Sequence, residues 1–119
     1  MLPLSKQYQK KLKVETGQEI NTNEIIDGKI VYKKRMNCGA GPNNNTRTIA
    51  TGLFNVTYIR IEGMATNGIM YFPLNNTRPV DGTDEGALGL YINDNALVID
   101  SKSDRSTYTV YVDLYYIKN

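Results

Sequence analysis

The stretch "STYTVYVDLYYIKN" at residues 106–119 narrows most what this chain can fold into. Successive side chains of a strand point to opposite faces. Tyr108, Val110, Val112, Leu114 and Tyr116 therefore share one face, which is wholly apolar or aromatic. Thr107, Thr109, Tyr111, Asp113, Tyr115 and Ile117 share the other, which is only half polar. A small protein with one core needs one apolar face per strand. The second face of this strand needs a cover.

The remaining sequence fits a β protein. From Ile25 onward, short apolar runs are separated by turn signals every eight to twelve residues. Asp27-Gly28 lies between two apolar pairs and predicts a turn. A strand follows from Lys29 to Met36, with Ile30 and Tyr32 on one side. "NCGAGPNNNT" at 37–46 reads as loop by composition, and Arg47–Thr51 as a short strand ended by Gly52. Asn67-Gly68 predicts a type I′ hairpin turn, with Ile69–Leu74 as the returning strand. In the strand before it, Ile59 and Ile61 are expected on one face, with Tyr58, Arg60 and Glu62 on the other. "NNTRPVDGTDEG" at 75–86 reads as a long polar loop. A second hairpin turns at 93–95, with Leu88, Leu90 and Ile92 answered by Leu97 and Ile99. These signals predict an all-β, jelly-roll-like antiparallel β-sandwich over residues 25–119.

Residues 1–24 differ. Leu4, Tyr8, Lys11 and Leu12 have helical spacing, and Gly17 could end a short helix. The apolar face is thin, and a helix this short is marginal alone in water. The segment reads as an arm, flexible or extended, or ordered by docking on a neighbouring subunit.

Composition removes most catalytic chemistries. The 119 residues include no histidine and one cysteine, Cys38. Ser–His–Asp and Cys–His sites are excluded, and zinc sites nearly so. No intrachain disulfide can form. "DGTDEG" at 81–86 carries Asp81, Asp84 and Glu85 but lacks the spacing of a calcium loop. Asp100, Asp104 and Asp113 offer carboxylates, yet nothing in the sequence gathers them in one cleft. No enzyme activity and no cofactor is expected. Net charge is +2, and the densest basic run in the β region is Lys33-Lys34-Arg35, so no nucleic-acid partner is expected. No apolar run approaches the ~20 residues of a membrane span, and the N-terminus is too polar for a signal peptide, so no membrane insertion is expected. Asn44, Asn55 and Asn75 head Asn-X-Thr triplets, which carry no meaning without a secretory signal. Nine tyrosines and no tryptophan favour interfaces over sugar stacking on tryptophan.

"IIDGKIVYKKRMNCGAGPNNNTRTIATGLFNVTYIRIEGM" and "ALGLYINDNALVIDSKSDRSTYTVYVDLYYIKN", taken in order, resemble a C-terminal module of tailed-phage tail-fibre, baseplate and receptor-binding proteins. The opening "DGK-V-YKK", the "NNNTRTIATGLFNV" corner and the closing Ser-Asp-Arg-Ser turn before a Tyr-rich strand carry the likeness. It covers about residues 25–119, with Ile30 where the module has a proline.

The resemblance implies a virion protein, assembled in the host cytoplasm, that attaches to a host surface glycan and is often trimeric about an axis. A homotrimer would cover the second face of the last strand, placing Tyr111, Tyr115 and Ile117 at the subunit interface. Leu4, Tyr8 and Leu12 of the arm would anchor the chain to other virion proteins. A glycan site is expected at loop ends near Tyr91, Asp100, Asp104 and Arg105, where carboxylates and a guanidinium could bond hydroxyls beside a stacking ring. The alternative role is a capsid or tail decoration protein, or an accessory fibre protein, which docks and stabilises and has no glycan affinity.

Overall fold

The computed structural model describes residues 17–74 and 88–119. Leu4, Tyr8 and Leu12, the helical pattern around them and the acidic segment with Asp81, Asp84 and Glu85 lie outside the described residues. The described residues form β1 (Glu19–Ile26), β2 (Lys29–Ala40), β3 (Thr46–Ala50), β4 (Val56–Thr66), β5 (Tyr71–Pro73), β6 (Leu88–Asn93), β7 (Ala96–Ser101) and β8 (Thr109–Lys118). Every strand pairing is antiparallel.

Two sheets result: a five-stranded one in the order β1-β2-β8-β4-β5 and a three-stranded one in the order β3-β7-β6. Consecutive strands β2, β3 and β4 alternate between the sheets, and β7 hands over to β8 in the same way. This winding is jelly-roll-like. β4–β5 and β6–β7 are plain hairpins within one sheet.

Turn chemistry sets the registers. Ile26 pairs with Lys29, leaving Asp27 and Gly28 as a two-residue loop at φ 53° and 74°. Asn93 pairs with Ala96, and Asp94 and Asn95 sit at φ 49° and 60°. Both loops have the positive φ pair that matches the strand twist.

The core lies between the sheets. Val110, Val112, Leu114 and Tyr116 of β8 are 0% exposed and meet Leu88, Leu90, Leu97 and Ile99 of the smaller sheet. The packing is close at Gly63, where a Cβ would stand 2.6 Å from Leu74 Cδ1 and 2.8 Å from Leu90 Cδ2.

Four expectations need correction. Residues 19–24 belong to β1, so the sheet begins inside the expected arm, and the Gly17 amide already bonds Arg35 O at 2.7 Å. β2 continues to Ala40 through "NCGA", because a bulge between Asn37 and Gly39 admits the glycine and turns Cys38 into the core. Asn67-Gly68 is no two-residue turn: Thr66 pairs with Tyr71, and only Gly68 has a positive φ, 93°. The Asn67 side chain accepts the amides of Ile69 and Met70 at 2.9 and 2.8 Å, a local bond that holds a four-residue loop and shortens the returning strand. Ile59 and Ile61 do not share a face. A bulge between Tyr58 and Arg60 sends Tyr58 and Ile61 to the core and Ile59 to the outer surface.

At Tyr115 and Ile117 the outer face of β8 is covered by its own chain. Tyr115 and Ile117 are 7% and 8% exposed and cluster with Val31, Ile26 and Ile59. Arg60 lies over the Tyr115 ring, 4.0 Å from its centroid, and its two terminal nitrogens bond the Glu24 carboxylate at 3.3 and 3.2 Å. β2 and β8 lie between the strands that carry this pair, so it bridges the face. Lys33 approaches the same ring at 5.4 Å, and the Tyr115 hydroxyl donates to Glu62. Long charged side chains lay their stems on apolar surface and keep their heads wet. Tyr115 and Ile117 are therefore packed within one chain and leave little surface for the trimer contact expected of them. Tyr111 is half-buried, in register with Met64 and Asn37.

Candidate functional site

The end of the sandwich where β8 finishes carries an open cleft of about 370 Å³. Glu19 at the start of β1, Tyr116 and Lys118 at the end of β8, and loop 52–56 line it. β2 separates β1 from β8, so three strands of one sheet bring Glu19 to Tyr116 and Lys118.

The polar wall is a short chain of hydrogen bonds. Tyr116, wholly buried, donates its hydroxyl to Glu19 Oε1 at 2.5 Å. Lys118 Nζ donates to Glu19 Oε2 at 2.9 Å and lies 4.3 Å from the Tyr32 ring centroid. The Tyr116 bond, then Lys118, holds the Glu19 carboxyl below its usual pKa. Burial and the adjacent carboxylate push the Tyr116 phenol up, so it stays protonated and donating. Lys118 is raised by the same carboxylate.

The cleft's lining also includes an aromatic ring. Phe54 is 84% exposed. Its loop is nevertheless tied down on both sides. Lys34 Nζ donates to Thr51 O at 3.0 Å. Thr51 Oγ1, in a residue only 1% exposed, shares a 2.8 Å bond with the Tyr58 hydroxyl. Asn95, from the β6–β7 turn, accepts from Tyr58 and donates to Leu53 O at 2.5 Å. The Asn119 amide bonds Asn55 O at 3.0 Å. Phe54 thus stands in water on a fixed support, between two anchored neighbours.

Of the expected glycan residues, the structure brings Tyr91 and Asp100 to one face as diagonal neighbours and sets Asp104 and Arg105 apart from them. Tyr91 and Asp100 lie on the outer face of the smaller sheet, opposite Val98 and Gly89 respectively, and Asp100 is buried beside Thr46, whose hydroxyl bonds it. Asp104 is exposed in a turn, where Ser106 Oγ and N donate to its carboxylate at 2.6 and 2.9 Å and hold its pKa low. Arg105 turns away to the Phe72 and Tyr108 rings, 5.9 and 5.7 Å from their centroids. The three carboxylates weighed for catalysis are scattered: Asp113 lies on the outer face of the larger sheet, paired with Arg35 at 2.8 Å and Lys33 at 3.4 Å. The basic run is divided by strand alternation, since Lys34 points to Thr51 and its two neighbours to Asp113.

Glu19, Tyr116 and Lys118 were not foreseen as a site, because the bonds joining them span 97 and 99 residues. Phe54 was the one legible signal: an aromatic in "GLFN", outside any alternating run.

At the opposite end of β4 and β8, the β4–β5 loop carries Ile69 and Met70, and Tyr71 opens β5; they are 87%, 57% and 64% exposed. Beside them Met64, Tyr71 and Pro73 line a shallow hollow of about 230 Å³. Burial pushes the Cys38 thiol up to about 11, so it is an inert core residue. Among the described residues no three acidic, cysteine or histidine side chains converge as a metal site. No family model, curated protein or solved structure matches the chain.

Proposed function

We propose that this chain is a non-enzymatic tailed-phage virion protein that attaches to host surface glycan, as a fibre-tip or receptor-binding domain. The observation that carries the reading is Phe54, an exposed ring on a tied-down loop, lining a hydrogen-bonding cleft. Ligand sites combine apolar surface with a few placed polar groups, and preorganisation lowers the cost of binding. The sequence likeness to phage attachment modules supplies the biological setting. In that setting Leu4, Tyr8 and Leu12 anchor the chain to the particle. A homotrimer would use Tyr111 with its exposed neighbour Met64 more than Tyr115 and Ile117.

The test is binding of the labelled chain to cells of candidate hosts, before and after periodate oxidation of surface sugars. Loss of binding after oxidation supports the reading. Binding that survives oxidation overturns it.

One observation favours a second reading. Exposed apolar patches mark contacts with other proteins, and Ile69 and Met70 of the β4–β5 loop with Tyr71 of β5 form such a patch. A decoration or accessory-fibre protein without glycan affinity would bind no host cells and would co-purify with particles.

A further inference from the structure

We infer that the cleft between Glu19, Lys118 and Phe54 is a site for one uncharged sugar ring bearing adjacent hydroxyls. The inference rests on the adhesion reading for its biological setting, and on the cleft alone for the ligand's class.

The first argument is charge. Glu19 and Lys118 already neutralise each other at 2.9 Å. An anionic ligand reaching for Lys118 would face the Glu19 carboxylate beside it, and a cationic ligand reaching for Glu19 would face Lys118. Like charges at such range are repulsive. An uncharged ligand meets neither penalty.

The second argument is hydrogen-bond capacity. Each Glu19 oxygen accepts one bond from this wall, and a carboxylate oxygen has a further lone pair. An ammonium group has three donors, and Lys118 directs one at Glu19. A ligand that donates to the carboxylate and accepts from the ammonium completes both without breaking the pair. Two hydroxyls on adjacent ring carbons do this, because each hydroxyl both donates and accepts. Tyr116 fixes the geometry: its hydroxyl is spent on Glu19, and its ring is wholly buried.

The third argument is shape. Phe54 lines the same cleft and offers exposed apolar ring surface there. The C–H face of a pyranose can lie on such a ring while its hydroxyl edge reaches the polar wall. The volume, about 370 Å³, sits at the low end of the roughly 300–1,000 Å³ found for small-molecule sites. A single ring suits it better than a long chain.

The experiment is a titration of the full chain, followed by amide NMR, with methyl glucoside, methyl galactoside and N-acetylglucosamine. Glucuronic acid, sialic acid and glucosamine serve as charged counterparts. At least one neutral sugar should shift the amides of Phe54, Asn55 and Lys118, and no charged one should bind more tightly. Phe54→Ala should weaken that binding by about tenfold, the value of one good aromatic contact. Glu19→Gln keeps the shape and should also weaken it. Three results overturn the inference: no neutral sugar shifts the cleft, a charged sugar binds there more tightly, or Phe54→Ala leaves affinity unchanged. If one of these occurs while periodate still abolishes cell binding, the adhesion reading stands and the glycan binds elsewhere. If neutral sugars fill the cleft but oxidised cells are still bound, the inference stands and the adhesion reading fails.

Discussion

On the inner face of β8, Val110, Val112, Leu114 and Tyr116 meet a second sheet and are 0% exposed. On the outer face, Tyr115 and Ile117 are 7% and 8% exposed, and what covers them is the side chains of their own sheet. The inner cover is apolar, close-packed and built from distant strands. The outer cover is a small apolar cluster of Val31, Ile26 and Ile59, with Arg60 bridged to Glu24 over the Tyr115 ring and Lys33 and Glu62 at its sides. An apolar residue on the outside of a sandwich therefore does not by itself call for a partner. Charged stems from neighbouring strands can do the covering. Phe54 is the contrasting case, an aromatic ring left 84% exposed.

The two covers should respond differently to mutation. Leu114→Ala opens a cavity between the sheets and should cost about 2–5 kcal/mol of unfolding free energy, read by urea denaturation. Gly63→Ala forces a methyl group against Leu74 and Leu90 and should cost roughly 1–3 kcal/mol by the same assay. Removing the outer bridge should matter less. Arg60 and Glu24 have side chains 42% and 40% exposed, so their ion pair is screened. Arg60→Ala should cost about 1 kcal/mol, mostly through lost cover of Tyr115. A double-mutant cycle with Glu24→Ala should give a coupling below about 1 kcal/mol.

The cleft gives a pH signature. The folded-state pKa of Glu19 is lowered by Tyr116 and then by Lys118. Its contribution to stability is complete above the ordinary glutamate pKa and is lost as pH falls through the lowered value. The unfolding midpoint of the wild type should exceed that of Glu19→Gln near neutrality, and the gap should close on acidification. Lys118 has the opposite dependence: its raised pKa gives a contribution complete below the ordinary lysine value and lost as pH rises through the raised one. The smallest effect should be that of Phe54→Ala. Phe54 is 84% exposed, so stability should change by no more than about 0.5 kcal/mol.

The fold was legible where turn chemistry and alternation agreed. Asp27-Gly28 and Asp94-Asn95 set two hairpins, and the even positions of β8 named the core face. Legibility failed at bulges, because one extra residue swaps every later side chain to the other face. That is how Ile59 is parted from Ile61, while "NCGA" reads as loop because its Asn and Gly composition outweighs a strand that a bulge carries through it. β1 was overlooked because "EINTNEII" is an edge strand whose residues are exposed or half-exposed throughout, so burial left no apolar stripe. The cleft was nearly illegible. Its polar wall joins residues from both ends of the chain, and local pattern carries no record of that meeting.

The central claim is that Tyr115 and Ile117, on the outer face of β8, are covered within one chain. Its most direct test is the unfolding of Tyr115→Ala beside the wild type, at protein concentrations spanning about a hundredfold. The account predicts a loss of roughly 2–3 kcal/mol that is the same at every concentration. A wild-type midpoint that rises with concentration, together with a Tyr115→Ala midpoint that does not, would contradict it and return Tyr115 to a subunit interface.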